Sequence, residues 1–450
     1  LLDAQGVLRY RGRIDDRVRL GGARAEPTRR DLVAALDELL AGGGPAVSVP
    51  ETPVDGCLLG FPAPPPPAEV TWSRDVAPLL ARHCRDCHRE GGAAPFPLVS
   101  FADARSEGPT LAEAVAQGRM PPWFAAEGPQ ELAGHRGLSA AERQTIVDWV
   151  RRGMPEGEPL PPEDVPPPAK WTIGEPDLVL ELERPIDVPA DGVMPYQYAV
   201  LSHRFRRDTW VQKLEVWLGD QPQVVHHVNV FYFLPGQPFD PAQVLSARVP
   251  GSGPLELEPG LATLIPAGAL LSLQIHYQPD GVARRSRVGV GLVFPRQPVR
   301  KRLRTLPIQS RQLAIPPGAP HHREEASAVF PADALAGGLF AHMHVRGKDV
   351  AFAAVHPDGR REPLLALPSW SFDYQTAYAW TAPRRFAQGT RIECVAHYDN
   401  SAWNPWNPDP SREVRYGLQT TFEMLECAVF YVREDEELGV EVDPKTGEVR

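Results

Sequence analysis

Proline sets the first limit on what this chain can fold into. It fills 51 of the 450 positions, and glycine fills another 38. Each proline removes a backbone donor and clashes with the preceding helical turn, so short strands and loops are expected rather than long helices. The chain is too long for one hydrophobic core and should divide into about three domains. Net charge is −10 with no basic tract, which argues against nucleic acid as a partner. No apolar run reaches the ~18 residues that a membrane-spanning helix needs.

Shifts in composition divide the chain further. Residues 1–62 read as strand, strand and helix, with Thr28 as N-cap, Leu32, Leu36 and Leu39 on one face, and Gly42 to Gly44 as the stop. This pattern resembles the last third of a thioredoxin- or peroxiredoxin-like domain. The resemblance would place that family's catalytic cysteines before residue 1, so the chain is read as a piece of a longer one. Cys57 in this segment is read as a buried inert thiol, with a redox remnant as the alternative. The proline run Phe61 to Pro67 marks a linker over 63–69, and Glu156 to Pro168 a second over 156–170. Between them, residues 70–155 form a small all-helical unit, with Ser73 capping its first helix and a capping box Ser139–Glu142 opening its last. From Trp171 onward, short alternating strands between Pro/Gly turns suggest two tandem β-sandwiches, 171–310 and 311–450, with the seam near Pro307 to Pro317. The expected fold class is multidomain and mainly β, preceded by the all-α unit and the partial α/β segment.

The helical unit carries Cys84-Arg85-Asp86-Cys87-His88, the attachment signature of c-type haem. Two thiols three positions apart on a helical turn reach the two vinyl groups, and the next residue offers an imidazole to the iron. A dithiol redox pair or half a zinc site are the alternatives; no partner pair of cysteines follows. The distal ligand should be Met or His. Met120, in Gly118-Arg119-Met120-Pro121-Pro122-Trp123, is preferred over Met154 and His135. The unit resembles bacterial class I cytochrome c domains, in which a Met-Pro-Pro-Trp-type loop carries the axial sulfur.

The β region carries histidines in strand context. His342 and His344 flank Met343 in an apolar run, and positions i and i+2 of a strand share a face. His226 and His227 are adjacent, so both reach one ion only at a bulge or a strand end. His276 and Met424 sit in later strands. Together these residues resemble the copper type II, ascorbate-dependent monooxygenases, the group of peptidylglycine α-hydroxylating and dopamine β-monooxygenases. That resemblance implies two tandem jelly rolls and two copper ions. One copper, for electron transfer, would be held by His226, His227 and His276; the other, which meets dioxygen, by His342, His344 and Met424. Three imidazoles suit copper in both oxidation states, and a thioether favours Cu(I).

The implied reaction hydroxylates a C–H bond of a small molecule with O2, using electrons from an external donor, either ascorbate-like or a redox protein. The tethered haem c is the expected relay. Family positions that engage a peptide carboxylate are Phe340 and Ala428 here, so a C-terminal glycine peptide is not the expected substrate, and an apolar or aromatic one is. The family also carries a disulfide near Met424. Here its second cysteine is shifted to Cys427, which leaves a Cys394–Cys427 bridge and two buried thiols both open. His321–His322 reads as loop, and His203, His356 and His397 as ordinary hydrogen-bonding residues. Covalent haem implies a periplasmic or secreted location. A non-catalytic electron-transfer or copper-binding protein is the alternative.

Overall fold

The computed structural model describes residues 1–3, 7–19, 22–23, 26–41, 47–52, 70–92, 94–126, 128, 131–161, 165, 169–237, 243–249 and 251–450. Cys57, the Gly42 to Gly44 helix stop and the proline run at Phe61 to Pro67 lie outside the described residues. The fold is mainly β, with several sheets.

At the N-terminal end, Leu2 pairs antiparallel with Leu8, and helix α1 (Asp31–Leu40) packs Ala35 against Tyr10 and Val47. Thr28 is not the cap of α1. The N-cap position is Arg30, without a side-chain bond, while the Thr28 amide bonds Asp16 at 2.7 Å. A loop acceptor outcompeted the helix end for Thr28, a local rivalry typical of short polar side chains.

The helical unit holds α2 (Ala77–His83), α3 (Phe101–Ser106), α4 (Gly108–Ala116) and α5 (Ala140–Arg151), with a π-helical turn at Trp72–Val76 leading into α2. Their apolar faces enclose Val76, Leu80, Leu98, Val115, Ile146 and Trp149. Trp149 packs against Trp72 with ring centroids 5.9 Å apart and donates to the Pro155 carbonyl at 3.0 Å. Ser139 and Glu142 form the expected capping box, bonding each other's backbone amides at 2.9 and 3.2 Å. Ser73 caps no helix: its hydroxyl donates to the Glu156 carbonyl at 2.8 Å and ties the first turn of this unit to its last segment.

Two sets of mainly antiparallel sheets follow. In the first, the Lys213–Trp217 and Gly289–Val293 strands belong to one four-stranded sheet. The strands Gln197–Arg204, Leu270–Tyr277, Val225–Phe233 and Val244–Arg248 form the other, in that order. Leu214, Val216, Val290 and Leu292 of one sheet meet Val228, Val230, Leu271 and Leu273 of the other in a shared core. In the second set, Arg304–Ser310, Leu425–Arg433, Ala334–His342 and Ala377–Phe386 form one sheet, and His322–Val329, Arg391–Tyr398, Gly347–Val355 and Arg361–Leu367 the other. Their core includes Ile308, Leu339, Phe352, Ile392 and Val429. Alternation explains the layering: along His322–Val329 every second residue is exposed.

Two boundaries differ from the sequence reading. Strand Arg304–Ser310 pairs along its whole length with Leu425–Arg433, and its Leu306 and Ile308 lie in the second core, so the division falls before residue 304 rather than at 310. The C-terminal tail returns to the first set, where Val440 pairs with Val299 and Val442 packs with Trp210 and Ala262. Strand pattern reports which face is apolar; it carries no record of which of two cores that face enters.

Candidate metal centres

Adjacent residues on a regular strand face opposite ways, so the sharing of one face by His226 and His227 needs a local irregularity. It is present. His276 pairs with His227, but the next pair is Tyr277 with Val225, which leaves His226 as the extra residue of a bulge. The three imidazoles then converge, with ligand atoms all within 4.8 Å of one another. His226 Nδ1 lies 3.2 Å from His227 Nδ1, and the His276 ring centroid is 5.1 Å from both. His276 Nδ1 is buried without a hydrogen-bond partner. Burial, aided by the neighbouring histidines, holds His227 well below the usual imidazole range and lowers His276 to about 4. Three converging imidazoles, one with a buried nitrogen that has no hydrogen-bond partner, fit a borderline metal ion such as copper. Tyr196 stands over them, 4.9 Å from His276 and 5.4 Å from His227, and its buried hydroxyl has no partner.

His342 and His344 lie at the end of the Ala334–His342 strand with ring centroids 5.0 Å apart. His342 Nδ1 bonds Gln375 Oε1 at 2.6 Å, and His344 Nδ1 donates to the Phe422 carbonyl at 3.2 Å. With Nδ1 engaged, each ring is left with Nε2 as its ligand atom, the arrangement that metal-bound histidines adopt. Burial and His342 lower His344 to about 3, so its ring is neutral. The cross-strand register pairs His342 with Glu426, and beyond the end of that ladder the His344 and Met424 amides share one acceptor, Glu423 Oε2. Met424 is 4% exposed. Met343, fully buried, belongs to the apolar core instead.

Phe372 joins the two histidine sets. Its ring stacks on His226 with centroids 5.5 Å apart and planes 11° from parallel, and it meets His344 edge-on at 6.1 Å. Tyr196, Phe372, Gln375 and Glu423 were missed by sequence reasoning. None carries a spacing signal, because each acts through a contact distant in the chain.

Around Cys84, both motif thiols are unbridged, and His88 Nδ1 donates to the Phe96 carbonyl at 3.0 Å, which leaves Nε2 for an iron. Burial and the adjacent Cys87 push the Cys84 thiol up to about 12, opposite to the lowered thiol of a dithiol redox pair. Met120 is 40% exposed. Met154 packs against the helical core, beside Gly108, where a Cβ would fall 2.4 Å from its sulfur. His135 rests edge-on to Trp123 at 5.0 Å. Residues on either side of 128 reach the second sheet set: Ala126 donates to the Ala366 carbonyl, Leu132 bridges Trp380, and Trp123 meets Tyr378 at 5.2 Å.

No family profile matches the chain, and no curated protein does. Structural similarity is slight. A capsid structure of infectious bursal disease virus, Gt strain, is 9% identical with a TM-score of 0.20 over 60% of this chain and 72% of that one. Procruciferin, an 11S globulin from Brassica napus, is 6% identical with a TM-score of 0.12 over 60% and 88%. At such scores neither carries weight for fold or function.

A third cluster joins His321, Asp349 and His397, also within 4.8 Å. Its groups satisfy one another: His397 Nδ1 bonds Asp349 at 2.6 Å and His321 stacks on His397 at 4.1 Å. His322 opens a strand and pairs with Tyr398, contrary to the loop expected there. Cys394 and Cys427 face each other from opposite sheets, sulfurs 3.7 Å apart, as free thiols. Among the described residues no helix is long and apolar enough to cross a membrane.

Proposed function

We propose that this chain is a copper-dependent monooxygenase that hydroxylates a C–H bond of a small molecule. One atom of O2 enters the C–H bond. The other leaves as water with two protons and two electrons from an external donor, relayed through a c-type haem at Cys84, Cys87 and His88. The observation that carries this reading is the meeting of two unlike candidate ligand sets at one aromatic ring. Phe372 touches His226 and His276 of the first and His344 of the second, while the amide of the buried Met424 shares the Glu423 carboxylate with the His344 amide. Copper at these positions would supply one-electron exchange at the first set and O2 chemistry at the second. The protein's part is to disfavour protonation of His227, His276, His342 and His344 by burial, to orient His342 and His344 through Gln375 and the Phe422 carbonyl, and to exclude water with Tyr196 and Phe372. The same proposal makes the chain two tandem jelly rolls preceded by a cytochrome c unit and the end of a thioredoxin-like domain, in a periplasmic or secreted protein. Met120 is the proposed distal haem ligand, and the apolar Phe340 favours an apolar or aromatic substrate.

Elemental analysis of haem-loaded protein tests this. Two coppers per chain are expected, with His226→Ala and Met424→Ala each losing a different one. A single copper, or zinc in its place, moves the reading to a non-catalytic electron-transfer or copper-holding protein.

A further inference from the structure

The loop between the Arg361–Leu367 and Ala377–Phe386 strands touches both histidine sets. Trp370 Nε1 donates to the His344 carbonyl at 3.3 Å. Phe372 lies against His226, His276 and His344. Asp373 Oδ1 is 3.7 Å from His226 Nε2, and Gln375 Oε1 is 2.6 Å from His342 Nδ1. Gln375 also donates to the Phe372 carbonyl at 2.9 Å, so the loop is bonded to itself. Tyr374, 8% exposed, meets Phe124 of the helical unit edge-on at 5.9 Å. On its other side stands Gly251 of the first sheet set, where a Cβ would fall 1.8 Å from the Tyr374 ring.

Two features separate this from ordinary packing. A metal-binding histidine generally gives its second ring nitrogen to an oxygen partner, which fixes the ring and tunes its basicity. This one loop places an oxygen beside one histidine of each set: Gln375 hydrogen-bonds His342 at 2.6 Å, and the Asp373 carboxylate stands at ion-pair distance, 3.7 Å, from His226. The sets themselves belong to different sheets. The ring of Tyr374 also fills space that only a glycine at position 251 leaves, so the loop is seated against both the first sheet set and the helical unit.

We propose that the loop from Trp370 to Gln375 couples the two histidine centres to each other and to the Cys84–His88 unit. Asp373 and Gln375 are positioning residues for one centre each. Phe372 is a positioning residue for both, and Tyr374 seats the loop against the helical unit. The inference rests on the metal-centre reading above and deepens it. Because the outer partners of both centres share one short backbone segment, a shift of the loop changes both centres together.

The test uses the full, haem-loaded chain and copper alone as the probe. Asp373→Ala should weaken copper binding at the His226 set roughly tenfold and spare the other centre, and Gln375→Ala should do the reverse. Phe372→Leu should weaken both and change the cupric electron paramagnetic resonance spectrum of the His226 set, while Phe372→Tyr restores the parent values. Gly251→Ala, which displaces Tyr374, should slow the single-electron exchange that oxidises ferrous haem and reduces cupric ion, followed without O2 by haem absorbance. Circular dichroism confirms that each variant is folded, and the exposed Asp373→Ala and conservative Phe372→Tyr arms stand if a larger change prevents folding. Parent protein that binds no copper overturns the metal-centre reading, and this inference with it. Parent protein with two coppers, and with loop variants that leave affinities, spectrum and exchange rate unchanged, overturns the loop inference alone.

Discussion

The carboxylate of Glu423 accepts the backbone N–H of His344 at 2.8 Å. The same oxygen accepts the Met424 amide at 3.2 Å, and the other oxygen accepts the Arg346 amide at 2.7 Å. The regular ladder has ended here, since one strand stops at His342 and its partner begins at Leu425. One fully buried side chain therefore replaces the ladder and holds the His342–His344 segment against Met424. Burial raises Glu423 to about 7, against three amides and the Arg346 charge that favour its ionised form.

Glu423→Gln keeps the shape but offers an oxygen on one side only, so at least one of the three amides loses its acceptor. Stability should fall by about 1–3 kcal/mol, and copper affinity at the His342 set roughly tenfold. Urea unfolding and copper titration read the two effects separately. An unchanged His342 centre in a destabilised protein would show that Glu423 serves the fold alone.

Glu362 sits among His356, Arg360 and Arg384 on the face of the second sheet set. Burial pushes its carboxyl up, but hydrogen bonds from His356 and Arg384 and the Arg384 charge outweigh this and bring it to about 2. A carboxyl whose folded value lies below its unfolded value of 4.5 stabilises the fold in full above that value. The contribution fades as pH falls from there through about 2. Glu362→Gln should be less stable at neutral pH by about 1–3 kcal/mol, and the gap should close with acid. Chemical unfolding midpoints of both proteins between neutral pH and pH 2 give the comparison. A gap that stays constant with pH would rule out the charged network as its source.

The Cys394 and Cys427 thiols, 33 residues apart and facing across the core, should close to a disulfide in a glutathione buffer set to oxidise them. Closing a loop of that length should add about 3–4 kcal/mol. Thiol titration in denaturant counts the loss of two reactive groups, and the melting temperature should rise. Two free thiols after full equilibration would mean that the core does not let the sulfurs approach.

Ser139→Ala removes one half of the capping box that opens α5. The expected cost is about 1 kcal/mol, seen as a lowered melting temperature of the helical unit. Ser139→Asp should restore most of it, because a carboxylate accepts the same amide at a helix N-terminus.

Some of this architecture is visible in the chain itself. The apolar run around His342 reports a strand, whereas the strand that opens at His322 lies in sequence that reads as loop. The spacing of His342 and His344 already places both on one side. The adjacency of His226 and His227 calls for a bulge, and the shifted register at His276 and Tyr277 contains one. Ser139 and Glu142 form a helix start through bonds three residues long. All of these are local, and side-chain direction along a strand or helix follows from backbone geometry alone.

Other features depend on where whole sheets come to rest. Thr28 abandoned its helix for Asp16, and strand Arg304–Ser310 joined the second core rather than the first. Phe372 came to lie against His226 and His344, and Glu423 beside the His344 amide, through packing across sequence separations of 28 to 146 residues. Periodicity specifies that a face is apolar or that two imidazoles share a side. Which partner meets that face is set by the burial of many surfaces at once, and no short stretch of sequence holds that sum. The candidate ligand residues were thus determined by the sequence, and the loop and carboxylate beside them by the tertiary structure alone.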